Sequence, residues 1–139
     1  MDPLQERMQK ILSGRSFAVV GASNNSEKAG YWVYRKLKEA GYAVFAVNPN
    51  RRVVQGDAAY PHLKALPQVV DCVVTVVPPP ITRAAVAEAI EQGIQAVWMQ
   101  PGSEDEAAVR LAEDRGLTAV YGGPCIMVQL SLRRSGSQV

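Results

Sequence analysis

Residues 16–30 read SFAVVGASNNSEKAG, where a short apolar run ends at Gly21 and small polar residues follow before the next predicted helix. The apolar run is typical of a buried strand, and the glycine permits a tight turn after it. Backbone N–H groups at the start of a helix lack partners within the helix and carry a partial positive charge. This segment therefore indicates a loop that binds phosphate or pyrophosphate.

The composition limits the classes of protein to which the chain can belong. With 139 residues, it is expected to form a single domain over residues 1–139. The formal net charge of +2 is too small to indicate a nucleic-acid partner. No apolar stretch reaches the roughly 20 residues that span a bilayer. Because the charged N-terminal segment MDPLQERMQKIL does not resemble a signal peptide, we expect a cytoplasmic protein without a membrane partner.

The cysteines and the histidine do not indicate a metal site. Cys72 and Cys125 belong to no CxxC pair, and His62 is the single histidine, so too few ligands are present for zinc. Cys72 lies in an apolar pattern typical of a buried thiol. Cys125 follows the last predicted strand and can border a cleft. His62 is interpreted as a structural or surface residue rather than a general base.

Alternating apolar and amphipathic segments predict an order of strand, helix and strand along the chain. The predicted strands are 16–21, 43–47, 70–77, 95–99 and 118–121. The predicted helices are 3–12, 28–40, 81–92 and 104–115, with a helical turn at 61–66. These patterns predict an α/β protein, a single three-layer doubly wound Rossmann-like domain with a mostly parallel five-stranded sheet. Residues from about 131 to 139 are interpreted as a flexible tail.

In a doubly wound sheet, ligands bind beyond the carboxyl ends of the strands. In the first such loop, the dinucleotide fingerprint GxGxxG would require glycine where the chain has Ser23 and Ser26. Ser23 and Asn24 can donate hydrogen bonds to a phosphate, and Lys28 adds a positive charge. The alternative is that these polar residues only cap the helix.

The second loop, VNPNRR, carries no acidic residue at the place where NAD-binding folds hold the adenosine ribose. Arg51 and Arg52 instead suit a phosphate on the ribose, because a guanidinium group can contact it in a forked geometry. Coenzyme A carries a 3′-phosphate and NADP a 2′-phosphate, so both ligands fit this pattern. A solvated basic turn is the alternative.

The third and fourth loops offer apolar and amide groups. Pro78, Pro79 and Pro80 form a stiff wall against which an adenine or a thin chain can lie, although proline also begins helices for local reasons. In the fourth loop, Ser103 is the predicted helix N-cap. We expect Trp98 to belong to the core and Gln100, at the end of its strand, to face the cleft.

Five motifs occur in this order along the chain: VVGASNNSEKAGYWV, GYAVFAVNPN, DCVVTVVPPP, AVWMQPG and PCIMVQ. Together they resemble the small stand-alone CoA-binding proteins over roughly residues 15–129. That family is related to the CoA-binding domain of the succinyl-CoA synthetase α subunit and of ADP-forming acyl-CoA synthetases. The resemblance implies a site for coenzyme A or acyl-CoA. The residues that it implies are Gly21, Ala22, Ser23, Asn24 and Lys28 around the phosphates; Asn48, Pro49 and Arg51 near the 3′-phospho-ADP end; Val77, Pro78 and Pro79 as a wall; and Trp98, Met99 and Gln100 along the pantetheine path.

The resemblance and the sparse catalytic residues together predict a binding protein rather than an enzyme, acting as a CoA carrier, sensor or regulatory module. The synthetase α subunit continues into a domain with a phosphorylated histidine, which this chain does not contain, and Gly123 and Pro124 stand where family members commonly have an Asp-Arg pair. The alternatives are an NADP-binding reductase and a subunit of a larger acyl-CoA enzyme. A protein partner or a homo-oligomer remains open.

Overall fold

A computed structural model describes residues 2–137 of the chain, with side chains from Asp2 to Arg133. The helices are α1 Pro3–Leu12, α2 Ala29–Glu39, α3 Pro79–Glu91, α4 Glu106–Asp114 and α5 Ile126–Ser137. The strands are β1 Ser16–Val20, β2 Ala43–Val47, β3 Val53–Val54, β4 Asp57–Tyr60, β5 Cys72–Thr75, β6 Ala96–Met99 and β7 Thr118–Val120. A 3-10 turn covers Leu63–Ala65.

The strands form one sheet in the order β3-β4-β2-β1-β5-β6-β7. Every pairing is parallel except the hairpin of β3 and β4. At the centre, Val20 of β1 lies opposite Val47 of β2 and Thr75 of β5. The chain moves outward on one side of β1 through β2 and returns to its other side at β5. The carboxyl ends of β1 and β5 therefore form the switch point at which a doubly wound sheet binds its ligand.

Helices cover both faces of the sheet, because the residues of β1 alternate between two cores. Phe17 and Val19 pack with residues of α1, α2 and α5. Ala18 and Val20 pack with residues of α3 and α4. Burial on both faces explains the apolar run in the sequence. The predicted three-layer Rossmann-like fold is confirmed.

The five predicted strands and four predicted helices are present, and their ends differ from prediction by no more than two residues. The sheet, however, has seven strands within the described residues, not five, because the segment 53–60 forms an edge hairpin. Its strands contain only two and four residues, which is too short for a visible alternation. The sequence pattern therefore did not separate them from a loop.

The last helix was also missed by the sequence analysis. Residues 131–137, where a flexible tail was expected, continue α5, while residues 138 and 139 lie outside the described part. Ile126 and Leu130 of this helix are buried in the first core. This burial outweighs the low helix propensity of the Ser- and Gly-containing end.

None of the helices within residues 2–137 combines the length and the apolar character needed to cross a membrane.

Candidate functional site

Gly21 lies at the switch point, where three segments of backbone meet. Its φ is +101°, and a Cβ atom there would lie 2.4 Å from the carbonyl oxygen of Val76 and 2.8 Å from Cγ1 of Val77. Its N–H donates to the carbonyl oxygen of Val47 at 3.1 Å. Both the backbone conformation and the close contact require glycine. The loops after β1, β2 and β5 are therefore brought together at this point.

A second glycine, which the sequence analysis did not single out, sets the position of α2. A Cβ atom on Gly30 would lie 1.9 Å from the carbonyl oxygen of Gly21. Gly30 thus serves the purpose of the last glycine of the dinucleotide fingerprint, which lets the helix pack closely on the first strand and loop. It stands nine positions after Gly21, where the fingerprint would have five. This longer spacing hid its role.

The N-terminus of α2 has no side-chain cap. Lys28 is the N-cap residue but makes no capping hydrogen bond, and the first turn contains no acidic residue. Ser23 Oγ accepts from the N–H of Asn25 at 3.0 Å, and Asn25 Oδ1 accepts from the N–H of Glu27 at 2.9 Å. These side chains stabilise turns within the loop instead of capping the helix. The N-terminus of α2 thus has neither a side-chain cap nor an acid in its first turn, and the exposed Glu27 directly precedes its N-cap residue.

Two asparagines of the predicted site hold loops together. Asn24 donates through Nδ2 to the carbonyl oxygen of Val53 at 3.0 Å and accepts from the N–H of Gln55 at 2.7 Å. Asn48 donates through Nδ2 to the carbonyl oxygen of Ala22 at 2.9 Å. The side chains of Asn24 and Asn48 therefore fix the backbone of the site.

The basic residues at this edge are available to an anion. Lys28, Arg51 and Arg52 are exposed, as is Pro49 beside them. None of the ion pairs within the described residues includes any of the three cations. The loops after β1 and β2 therefore present positive charge to solvent on one side of the switch point.

On the other side of the switch point, the loop after β5 presents an apolar surface. Val77 and Pro79 are half-buried, and Pro78 is exposed. Helix α3 begins at Pro79 rather than at 81, with Pro78 as its N-cap and prolines in its first turn. Because proline has no N–H, this helix start offers ring carbons in place of hydrogen-bond donors. Ile81, which is 49% exposed, extends the apolar surface.

The end of β6 is buried, so the expectation that Gln100 faces the cleft was wrong. Trp98 and Met99 are fully buried, and Gln100 is 4% exposed. Trp98 donates through Nε1 to the carbonyl oxygen of Pro124 at 3.1 Å, and Gln100 Oε1 accepts from the N–H of Ile126 at 2.7 Å. All three side chains join β6 to the core and to the start of α5. None of them offers side-chain surface to a ligand in this arrangement.

The N-cap of α4 is Asp105 rather than Ser103. The Asp105 carboxylate accepts from the N–H of Ala108 at 2.9 Å and receives two hydrogen bonds, both of 2.9 Å, from the guanidinium of Arg83. Arg83 lowers the pKa of Asp105 to about 2. An ion pair supplied by the chain itself therefore occupies the positive end of this helix.

Ser103 has a different role, because its hydroxyl belongs to a buried chain of hydroxyl groups. It lies 2.8 Å from Thr75 Oγ1 and 2.7 Å from Thr82 Oγ1. These linked hydroxyl groups join β5, α3 and the loop before α4. These buried hydroxyls satisfy one another and fix the loop after β6 to the sheet.

The residues with potential for acid–base or thiol chemistry are separated. Both cysteines are free, and burial raises the pKa of the Cys72 thiol. Cys125 is half-buried, with its Sγ 3.4 Å from Nε2 of Gln100. Nδ1 of His62 lies 3.6 Å from the carboxylate of Glu88. Within the described part of the chain, no group of three or more His, Cys, Asp or Glu residues is arranged to hold a metal ion.

The sheet order, the glycine at the switch point and the uncapped helix start define a Rossmann-like nucleotide-binding domain. More particularly, the chain belongs to the CoA binding domain family, whose family model matches residues 15–131. This match confirms the resemblance seen in the sequence motifs.

Among curated proteins, the chain is similar to the α subunit of ADP-forming acetate–CoA ligase II from Pyrococcus furiosus, with 40% identity over 84 residues. The match covers 60% of this chain but 18% of the ligase subunit, so the chain spans less than a fifth of that relative's length.

Two solved structures of small proteins match over nearly their whole length. A conserved hypothetical protein from Pyrococcus furiosus has 39% identity and a TM-score of 0.78, with 83% of this chain and 98% of that chain covered. A hypothetical protein from Pyrococcus horikoshii has 30% identity and a TM-score of 0.86, with 94% and 90% covered.

Proposed function

We propose that the chain binds coenzyme A or an acyl-CoA at the carboxyl edge of its sheet and acts without catalysis of its own, as a carrier, sensor or regulatory module. Membership of the CoA binding domain family supports the ligand class. The observation that carries the proposal is the uncapped N-terminus of α2 beside three exposed basic residues. An anionic ligand that carries a pyrophosphate and a 3′-phosphate complements that edge.

The pyrophosphate would lie against the backbone of Gly21, Ala22 and Ser23 and the first turn of α2. The N–H of Gly21 already donates to the carbonyl oxygen of Val47, so the backbone N–H groups after Gly21 would donate to the phosphate oxygens, and the helix dipole would stabilise the charge. Asn24 would act through the loop that its side chain fixes. Lys28 would add a charge at the rim of the site.

The 3′-phosphate would be bound by Arg51, with Pro49 and Asn48 shaping its loop. A guanidinium group contacts a phosphate with two parallel hydrogen bonds, which an ammonium group cannot do. Arg51 is exposed, so binding requires little rearrangement of the core. This contact would favour CoA over ligands that lack the 3′-phosphate.

The remaining part of the ligand would follow the apolar wall of Val77, Pro78 and Pro79. Because Trp98, Met99 and Gln100 are buried, we propose that they support this path from beneath rather than contacting the pantetheine with their side chains. A stiff wall loses little entropy when a ligand lies against it.

Calorimetric titration with CoA, 3′-dephospho-CoA and NADP tests the proposal. We expect CoA to bind about tenfold or more tightly than the other two ligands. Arg51→Ala should remove most of this preference, because it removes the 3′-phosphate contact. Arg110→Ala, which changes an exposed arginine on α4, is the matched control and should bind as the unaltered protein does. No binding of CoA at millimolar concentration, or equal binding of CoA and NADP, would refute the proposal.

The match to an ADP-forming acetate–CoA ligase subunit supports a second candidate, in which the chain is part of a larger acyl-CoA enzyme. Affinity capture with the tagged chain, in the presence and absence of CoA, tests it. A ligase-type partner that co-purifies and restores acyl-CoA synthesis in a mixture with this chain would support this candidate. Captured proteins that add no acyl-CoA synthesis would argue against it.

A further inference from the structure

The edge hairpin of β3 and β4 is attached to the loop after β1 through Gln55. Gln55 has a φ of +50° and is the one non-glycine residue with positive φ among the described residues. Its half-buried side chain donates through Nε2 to the carbonyl oxygens of Ser23 and Tyr31, at 3.2 and 2.9 Å. A left-handed conformation is unfavourable for glutamine, so contacts elsewhere must stabilise it.

Asn24 makes the reciprocal contacts from the loop to the hairpin. Its amide donates to the carbonyl oxygen of Val53 and accepts from the N–H of Gln55. Two hydrogen bonds from each side chain therefore join the loop and the start of α2 to the hairpin. We call Asn24 and Gln55 the loop–hairpin clamp.

The hairpin also determines where Arg51 lies. The carbonyl oxygen of the next residue, Arg52, accepts from the N–H of Ala59 at 2.9 Å, so the segment that carries Arg51 runs directly into the hairpin. The clamp thus connects the backbone near the pyrophosphate position with the segment that carries the side chain proposed for the 3′-phosphate.

A separate contact holds the hairpin to α2 without the clamp. The hydroxyl of Tyr34 donates to the carboxylate of Asp57 at 2.6 Å, and the ammonium of Lys38 contacts the same oxygen. Val54 of β3 is fully buried. Loss of the clamp should therefore leave the hairpin docked while it frees the segment before β3.

We propose that Asn24 and Gln55 are positioning residues that fix the distance between the N-terminus of α2 and Arg51, and so match the site to a ligand with both a pyrophosphate and a ribose phosphate. This inference rests on the proposed function. Neither residue needs to contact the phosphates itself. Their effect should be greatest for a ligand that spans both segments, because only such a ligand depends on their separation.

Gln55→Gly tests the clamp because glycine adopts a φ of +50° without strain but lacks the side-chain amide that donates to Ser23 and Tyr31. We expect the dissociation constant for CoA to rise about tenfold and that for 3′-dephospho-CoA less than about threefold. Amides of residues 21–28 should exchange hydrogen faster, while the melting temperature stays close to that of the unaltered protein. Gln95→Gly, at an exposed glutamine before β6, is the matched control and should leave both dissociation constants and the exchange of residues 21–28 unchanged.

The double variant Arg51→Ala with Gln55→Gly provides the decisive comparison. If Gln55 acts through Arg51, adding Gln55→Gly to Arg51→Ala should change CoA affinity less than about twofold. If the two effects simply multiply, or if Gln55→Gly leaves the preference for CoA unchanged in a protein that binds CoA, the inference is wrong and the proposed function stands. If the unaltered protein does not bind CoA, both fail.

Discussion

Helices α2 and α4 both begin at the carboxyl edge of the sheet, but their N-termini are completed in opposite ways. α2 has Lys28 as its N-cap, without a side-chain cap or an acid in its first turn. α4 has the carboxylate of Asp105 as its cap and Glu106 in its first turn. The chain itself therefore caps the N-terminus of α4 with a carboxylate, whereas the N-terminus of α2 has no side-chain cap.

The difference shows why position at this edge does not by itself identify a ligand site. By topology alone, the loops after β1 and β6 are equivalent candidates. At the loop after β6, Gln100, Ser103 and Asp105 are buried and bonded to other parts of the chain. At the loop after β1, polar groups are exposed, and the internal bonds stabilise the loop backbone.

The largest effect is expected from Gly30→Ala, which disturbs the contact between α2 and the loop after β1. The new Cβ would overlap the carbonyl oxygen of Gly21, so the helix must shift. We expect a loss of about 3 kcal/mol in the free energy of unfolding, despite the higher helix propensity of alanine. Urea denaturation measures this value. Gly41→Ala, where the Cβ would meet no atom but φ is +96°, should cost about 1 kcal/mol; equal costs would contradict the packing argument.

Lys28→Asp should make the N-terminus of α2 resemble that of α4. The new carboxylate can cap the helix and would repel a phosphate, so CoA affinity should fall by about 30-fold while unfolding becomes harder by about 0.5–1 kcal/mol. Calorimetry and urea denaturation would measure the two effects. Lys28→Gln, which removes the charge without adding an acid, should show an intermediate affinity. Affinity of the Asp variant within twofold of the original would show that α2 does not face the ligand.

A smaller effect is expected at the loop after β6, where stability should change and CoA affinity should not. Gln100→Ala leaves the N–H of Ile126 without its partner, which should cost about 2 kcal/mol of stability. CoA affinity should change less than about twofold, since the side chain supports the site from beneath. Gln68→Ala, on an exposed loop, is the control and should leave stability unchanged. A large loss of affinity at unchanged stability would mean that Gln100 contacts the ligand.

The smallest effect concerns the pH dependence of the ion pair at α4. Arg83 lowers the pKa of Asp105 to about 2, below the ordinary value of an aspartate. This carboxylate therefore stabilises the fold above about pH 4, and its contribution is lost as the pH falls towards 2. Asp105→Asn keeps an oxygen for the cap but removes the charge, so thermal unfolding should depend less on pH in that range. Asp114→Asn controls for the change in net charge; an unaltered pH dependence in Asp105→Asn would refute the assignment.

The sequence predicted the central sheet and the edge that carries the site, because β1 is buried on both faces and its pattern is local. It did not predict the partners of Asn24, which are about 30 positions away, or the hairpin that provides them. The burial of Gln100 also escaped prediction, since a polar residue at the end of a strand gives no sign of the backbone that will cover it. The polar residues therefore identified the loops at the candidate site. Because their partners are distant in sequence, the sequence did not show which of them stabilise the fold and which are available to a ligand.

The two edges of the sheet have a consequence for solubility at high concentration. The terminal strands β3 and β7 contain two and three residues, while β1 and β2 at the centre contain five each. On the β7 side, Arg7 donates through Nε to the carbonyl oxygen of Ala119 at 2.9 Å. Such short edges offer a neighbouring molecule few free N–H and C=O groups for strand addition. The short edge strands thus limit the template that the sides of the sheet offer for amyloid-like growth.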